Sequence, residues 1–254
     1  MIFNLKNKAI LITGGSRGIG RSCATLLASL GADVGITYKS DSLAADETLA
    51  SIATGNHTSF RMEAGDPLSI EACVTQFIEK YGRIDALINN AGIYLEHKIL
   101  ETSFKKWQES WSQTLNINLN GPANLCYAVA KHMAKQGHGK IINISSRGAF
   151  RGEPDHPAYA ASKAGLNAMS QSLAIALAPH GISVHVIAPG FVETDMTATI
   201  LKSAEGEKIK QQSPFNRVAK PEEVARLAAV FIADGMEFSS GGIIDLNGAS
   251  YLRS

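Results

Sequence analysis

The chain has 254 residues, of which 24 are basic and 23 acidic, for a formal net charge of +1. That balance argues against a protein built to grip nucleic acid or an anionic membrane, since both need a basic excess. Apolar residues make up 45%, so a large buried core is available and general disorder is excluded.

In chain order, short β-branched runs alternate with longer segments of helical period. Strands are predicted at Lys8–Thr13, Asp33–Tyr38, Thr58–Met62, Ala86–Asn89, Lys140–Ser145, Ser183–Ala188 and Gly242–Asn247. Helices are predicted at Gly18–Leu30, Ser42–Ala53, Ser69–Tyr81, Ser103–Lys135, Pro157–Ala178 and Pro221–Ala233. Runs such as Ile10-Leu11-Ile12 and Ile141-Ile142 lack polar alternation, as strands covered on both faces do. Strand, helix, strand at this rhythm implies right-handed crossovers and a doubly wound parallel sheet with helices on both faces, a Rossmann-type α/β fold. No linker or internal repeat divides it, so one domain over residues 1–254 is expected.

The apolar run Ala9–Thr13 is too short for a secretory leader, and no stretch approaches the roughly 18 apolar residues of a membrane span. Cys23, Cys73 and Cys126 are odd in number and widely spaced, and the seven His show no metal-ligand spacing. A reduced, cytoplasmic, metal-free protein is expected.

Ligands of such sheets sit beyond the carboxyl ends of the strands. After the first strand comes Gly14-Gly15-Ser16-Arg17-Gly18-Ile19-Gly20. Glycines there permit a tight turn, close backbone approach and close helix packing, and the helix start presents N–H groups to a pyrophosphate. After the second strand an acidic residue would favour NAD and a basic one the 2′-phosphate of NADP. The residues there are Tyr38, Lys39 and Ser40, with Arg17 available from the glycine loop. NADP(H) is therefore expected over NAD(H), against the alternative that Lys39 is simply a solvated surface lysine.

Tyr159 and Lys163 lie four apart on a helix that Pro157 opens, so they share one face. A phenol ordinarily loses its proton near pH 10. An ammonium about 6 Å away, at an effective dielectric near 20, would lower that by roughly two units. Ser146 closes the fifth strand, and its hydroxyl could hold a carbonyl oxygen while Tyr159 protonates it. As a nucleophile Ser146 lacks an activating histidine; His156 is near in sequence but carries no recognisable catalytic context.

Thr13–Gly20, Asn89-Asn90-Ala91-Gly92, Ser146, Tyr159/Lys163 and Pro189-Gly190 together resemble the short-chain dehydrogenase/reductase family across essentially the whole chain. Within it, the chain is most like the bacterial 3-oxoacyl-(acyl-carrier-protein) reductase group. The resemblance implies hydride transfer between a nicotinamide and a carbonyl or secondary alcohol, in a homotetramer or dimer. Tyr159 is then general acid/base, Lys163 binds the nicotinamide ribose and tunes Tyr159, Ser146 orients the carbonyl, and Asn118 holds a water linking Lys163 to solvent. Ala64 and Asn90-Ala91-Gly92 line the adenosine side. Val192 and Thr194, after Pro189-Gly190, clamp the carboxamide, unless Thr194 is a helix N-cap. Residues 190–213 cover the substrate.

The chain departs from the family pattern at several points. Glu63 stands where an aspartate often faces adenine. The stretch from Gly92 to Asn118 is about four residues, one helical turn, longer than is usual in the family, with Trp107 and Trp111 marking the extra turn at a substrate mouth or a subunit interface. Gly137 and His180 occupy positions where carrier-docking arginines are common, with Lys131, Lys135 and Lys140 nearby. Arg147 and Arg151 could meet an anionic or polyol substrate. A 3-oxoacyl thioester reductase is the leading reading; a sugar, polyol or xenobiotic carbonyl reductase and a non-catalytic dinucleotide sensor are the alternatives. Tetramer contacts are expected along Ser103–Lys135 and Pro157–Ala178.

Overall fold

The structure, a computed structural model, describes residues 4–52 and 55–253. Seven strands form one parallel sheet: β1 Ala9–Ile12, β2 Asp33–Tyr38, β3 Thr58–Arg61, β4 Ala86–Asn89, β5 Gly139–Ile144, β6 Ile182–Pro189 and β7 Ile243–Leu246. They lie in the order β3-β2-β1-β4-β5-β6-β7. The chain winds outward from β1 to β3, then returns to β4 and winds the other way. The crevice between the ends of β1 and β4 is the point where such folds bind ligands.

The helices are α1 Gly18–Ser29, α2 Ser42–Ser51, α3 Pro67–Tyr81, α4 Phe104–Leu115, α5 Gly121–Gln136, α6 Gly148–Arg151, α7 Pro157–Leu177, α8 Ala198–Leu201, α9 Ala204–Gln211 and α10 Pro221–Ile232. Their starts follow the local chemistry. Asp41, Asp66 and Ser103 accept backbone N–H bonds at the starts of α2, α3 and α4, while Pro67, Pro157 and Pro221 open helices where no donor is needed. Gly137 ends α5 with φ +75°, a left-handed position that an arginine would strain. That is a conformational reason for glycine there.

Two apolar layers sandwich the sheet. Ile10, Ile12, Val34, Ile36, Ile88 and Ile142 meet α1 and α10 on one face; Leu11, Leu87, Ile141 and Val184 meet α3, α5 and α7 on the other. Strands β1, β4, β5 and β6 are buried throughout, as their unbroken apolar runs predict. Between the layers runs one polar thread: Asn89 Nδ2 donates to Asn143 Oδ1 (2.8 Å) and Asn143 Nδ2 to Ser170 Oγ (2.8 Å).

The predicted strands are all present to within a residue or so. The predicted helix Ser103–Lys135 is instead two helices, separated by a π-helical turn at Asn116–Asn120. The wider turn adds a residue that periodicity alone does not register, and such turns often mark functional positions. It puts Asn118 inward. Its first residue, Asn116, donates from Nδ2 to Gly65 O (2.8 Å). Ala53, the last residue of the predicted second helix, lies outside the described residues. The short helices α6 and α9 were not legible in the sequence, each being too brief for a periodic signal, while α8 lies within Met196–Leu201, the helix that a Thr194 cap would precede.

Candidate active site

The glycine loop is held from below. Thr13 Oγ1 accepts the N–H groups of Asn90 and Ala91 (both 2.9 Å), and Asn90 Nδ2 donates to the carbonyls of Thr13 (2.9 Å) and Gly14 (3.1 Å). The loops after β1 and β4 are thereby locked into one wall of the crevice. Gly14 and Gly18 have φ of +63° and +54°, backbone that side chains rarely adopt. A Cβ on Gly20 would stand 2.2 Å from Gly14 O, so α1 packs against the loop only because that residue is glycine. Arg21, which sequence reasoning missed, braces the loop from behind by donating from Nε and Nη2 to Ser16 O (3.1 and 2.7 Å).

No side chain caps α1, so the N–H groups of its first turn face the crevice. Thr194 closes the crevice from the opposite side: a Cβ on Gly18 would meet Thr194 Cγ2 at 3.2 Å. Thr194 is not a helix cap. Its N–H donates to Thr197 Oγ1 (3.1 Å), and Thr197 is the residue that precedes α8. The buried Val192 bridges Ala219, and its own N–H has no partner among the described residues. Pro189 and Gly190 end β6 against β7, with Gly190 packed close to Asn247.

At the ends of β2 and β3, Lys39 and Ser40 are exposed and Tyr38 is half-buried. Lys39 Nζ sits 2.7 Å from Glu63 Oε2. The lysine expected to meet a phosphate thus has a carboxylate partner across the strand ends. Ala64 follows Glu63, and Gly121 approaches Ala64 O so closely that a Cβ would come within 2.2 Å of it.

Tyr159, Lys163, Ser146 and Asn118 converge beside this crevice. Lys163 is buried, its Nζ donating to Ile144 O (2.8 Å) and lying 5.7 Å from the centre of the Tyr159 ring. Ser146 Oγ accepts the Gly148 N–H (3.0 Å), which leaves its own proton for the Tyr159 side of the crevice. Asn118 exchanges two bonds with the backbone of Ile93 (2.9 Å each) and donates to Ser162 Oγ (3.3 Å). A Cβ on Gly92 would stand 3.2 Å from Asn118 Oδ1 and 3.8 Å from Lys163 Nζ, so Gly92 keeps the gap between the two side chains open.

The electrostatics differ from the sequence expectation. Burial pushes the Tyr159 phenol up to about 12 and outweighs the Ser146 hydroxyl beside it, which favours ionisation. Burial likewise brings the Lys163 ammonium down to about 8. The roughly two-unit lowering expected of Tyr159 is absent because both groups lose water and the ammonium is engaged by Ile144 O rather than by the phenol. The phenol therefore keeps its proton at neutral pH.

Aromatic groups invisible to motif reasoning line the other side. Tyr94 stacks on His156 (centroids 3.6 Å) and meets the Tyr159 ring edge-on at 4.7 Å. Buried His97 accepts the Ala158 N–H at the start of α7 (3.2 Å), and Trp107 packs edge-on against it. Trp107 and Trp111 (5.8 Å apart) thus support the base of α7 from within the chain. Arg147 does not point toward Tyr159; it turns to Gln212 and Ser250.

Among the described residues no group of three or more His, Cys, Asp or Glu side chains could hold a metal ion. No described helix is long and apolar enough to cross a membrane. The three cysteines are buried, unpaired thiols, each pushed up to about 12 by burial.

A parallel sheet with a glycine-lined crevice at its switch point, and a serine, tyrosine and lysine converging beside it, defines a dinucleotide-dependent oxidoreductase scaffold. The chain belongs to the short-chain dehydrogenase/reductase family: the family model described as enoyl-(acyl carrier protein) reductase matches residues 14–248. A 3-oxoacyl-(acyl-carrier-protein) reductase of Chlamydia trachomatis is 38% identical over 96% of this chain and 97% of its own length. That of Escherichia coli is 35% identical over 98% and 99%. A solved short-chain dehydrogenase of Burkholderia cenocepacia, in complex with NADP, superposes with a TM-score of 0.89 at 31% identity, covering 97% of this chain and 99% of that one.

Proposed function

We propose that the chain is an NADP(H)-dependent reductase of 3-oxoacyl thioesters, with Tyr159 as the proton donor. The observation that carries this is the convergence of Ser146, Tyr159, Lys163 and Asn118, from three separate elements, beside the uncapped start of α1. The names carried by the relatives, at 34–38% identity, support the thioester class.

The residues present fit the dinucleotide. Gly14, Ser16, Arg17, Gly18, Ile19 and Gly20 would hold the pyrophosphate, and Lys39, flanked by Tyr38 and Ser40, the 2′-phosphate. Ala64 and Asn90–Gly92 would line the adenosine side. Lys163 would meet the nicotinamide ribose. Pro189, Gly190, Val192 and Thr194 would clamp the carboxamide, with the unpartnered Val192 N–H as donor. When bound, NADPH supplies the hydride.

Ser146 donates a hydrogen bond to the substrate carbonyl oxygen and fixes it beside Tyr159. As negative charge grows on that oxygen, Tyr159 transfers its proton to it. A phenol held up to about 12 is protonated in essentially every molecule at pH 7, yet is more acidic than the alcohol that its proton transfer forms. The protonated phenol is thus ready to act as the acid when a carbonyl is reduced. Lys163 resupplies the proton through the opening beside Gly92, where Asn118 is placed to hold a water. Residues 190–213, with α8 and α9, would cover the substrate.

The protein would work in the cytoplasm as a homotetramer, paired along α5 and α7. Exposed Tyr127 (66%) and Ile175 (80%) on those helices support such pairing. The test is a carbonyl panel with NADPH. Acetoacetyl thioesters, free and on an acyl carrier protein, are expected to turn over well above sugars and quinones; the reverse order would overturn the substrate class.

A further inference from the structure

Arg147 follows Ser146 directly, yet its side chain leaves the catalytic crevice. Only 3% of it is exposed, and its two hydrogen bonds go to neutral groups: Nη1 to Ser250 Oγ and Nη2 to Gln212 Oε1, both 2.5 Å. Of a guanidinium's five N–H groups, three are therefore unused. The Phe191 ring lies 5.3 Å away and offers partial compensation. No carboxylate among the described residues comes within 4.0 Å of it.

This cation forms one wall of a pocket of about 320 Å³ that none of Ser146, Tyr159 or Lys163 lines. Phe191, Ser213, Phe215, Asn247 and Ser250 complete much of the wall. Of the pocket's other charges, Arg217 is bidentate to Glu223 (2.7 and 2.8 Å), and Asp245 is paired through Oδ2 with Arg253 outside the lining (2.7 Å), its Oδ1 being buried without a partner among the described residues. Beyond the pocket, Arg151 repels Arg147, and Glu153, hydrogen-bonded to Tyr94, attracts it without contact. Burial accordingly draws the guanidinium's proton affinity below its ordinary value. A buried charge without a counter-ion is among the most costly features a fold can carry, and an oxyanion on its unused N–H groups would relieve it.

We infer that this pocket binds a small oxyanion, a carboxylate or phosphate group, on the Arg147 guanidinium. Because the same guanidinium holds Gln212 at the end of α9 and Ser250 near the C-terminal end, the bound anion would set the position of the segment covering the catalytic crevice.

The test is calorimetric titration of the whole protein with succinate and with inorganic phosphate, against chloride at matched ionic strength, each with and without saturating NADPH. Saturable binding of succinate or phosphate that persists with NADPH bound is expected, and the preferred of the two identifies the oxyanion. Arg147→Gln should weaken it by about tenfold or more, the worth of a charge-assisted hydrogen bond. Arg147→Lys, which keeps the charge and loses the fork, should fall between and serves if the glutamine variant does not fold. Binding equalled by chloride, abolished by NADPH, or unchanged in both variants would overturn the inference.

Discussion

In the proposed function, cofactor choice rests on Lys39 and its neighbour Glu63, and both can be perturbed. The Lys39 side chain is 64% exposed and that of Glu63 38%, with 2.7 Å between their charges. Exposed ion pairs contribute only about 0.2–1 kcal/mol, so a 2′-phosphate can displace the carboxylate at small cost. A unit charge about 4 Å from Lys39 would gain about 1 kcal/mol in bulk water and about 4 at an effective dielectric of 20. At this exposure the lower half of that range applies. Lys39→Ala should therefore weaken NADPH binding by about 5- to 30-fold and NADH binding by less than about twofold. Glu63→Gln removes both the competitor for Lys39 and a like charge beside the phosphate. It should tighten NADPH by about 2- to 5-fold and leave NADH nearly unchanged. Fluorescence titration of each variant with both cofactors reads these ratios directly. Equal losses for both cofactors in Lys39→Ala, or weaker NADPH binding in Glu63→Gln, would refute the reasoning.

Three further outcomes follow from the geometry. Gly20→Ala places a Cβ 2.2 Å from Gly14 O and 2.7 Å from Asn90 Nδ2; overpacking of about 1–3 kcal/mol should lower the thermal midpoint by several degrees and weaken NADPH binding, and an unchanged midpoint would contradict the close packing. Lys163 loses its proton near pH 8 whereas Tyr159 keeps its own until about 12, so the rate of carbonyl reduction should be level below pH 7 and decline above pH 8; a rate that rises through that window would show the opposite proton demand. Sedimentation should give a tetramer, and Tyr127→Glu with Ile175→Glu should dissociate it, whereas a wild-type monomer would remove the role given to α5 and α7.

Much of the fold was legible because each strand is buried on both faces and so carries an apolar, β-branched run bounded by turn residues. Ile10–Ile12 and Ile141–Ile142 are of this kind. The glycine loop and the Tyr159/Lys163 pair were legible because their chemistry depends on spacing along the chain. The break at Asn116–Asn120 was not, since a single extra residue in a turn leaves the helical pattern on either side intact. Nor was the acidity of Tyr159: it is set by how completely the neighbouring loops exclude water, which no local pattern encodes. The Lys39–Glu63 contact depends on the register between β2 and β3, with Tyr38 opposite Arg61. The path of Arg147 depends on Gln212 and Ser250, 65 and 103 residues further on. Tyr94 and His97 lie in a loop without a motif, and only tertiary packing brings them to the start of α7.

The proposed function requires Tyr159 to deliver a proton to the reduced carbonyl. Tyr159→Phe keeps the ring that meets Tyr94 and removes only the hydroxyl, so fold and cofactor binding should survive. Single-turnover oxidation of bound NADPH by an acetoacetyl thioester is predicted to slow by about 100- to 10,000-fold, the usual contribution of a positioned proton donor, with NADPH affinity within about twofold of wild type. A variant that reduces the thioester at the wild-type rate would contradict it.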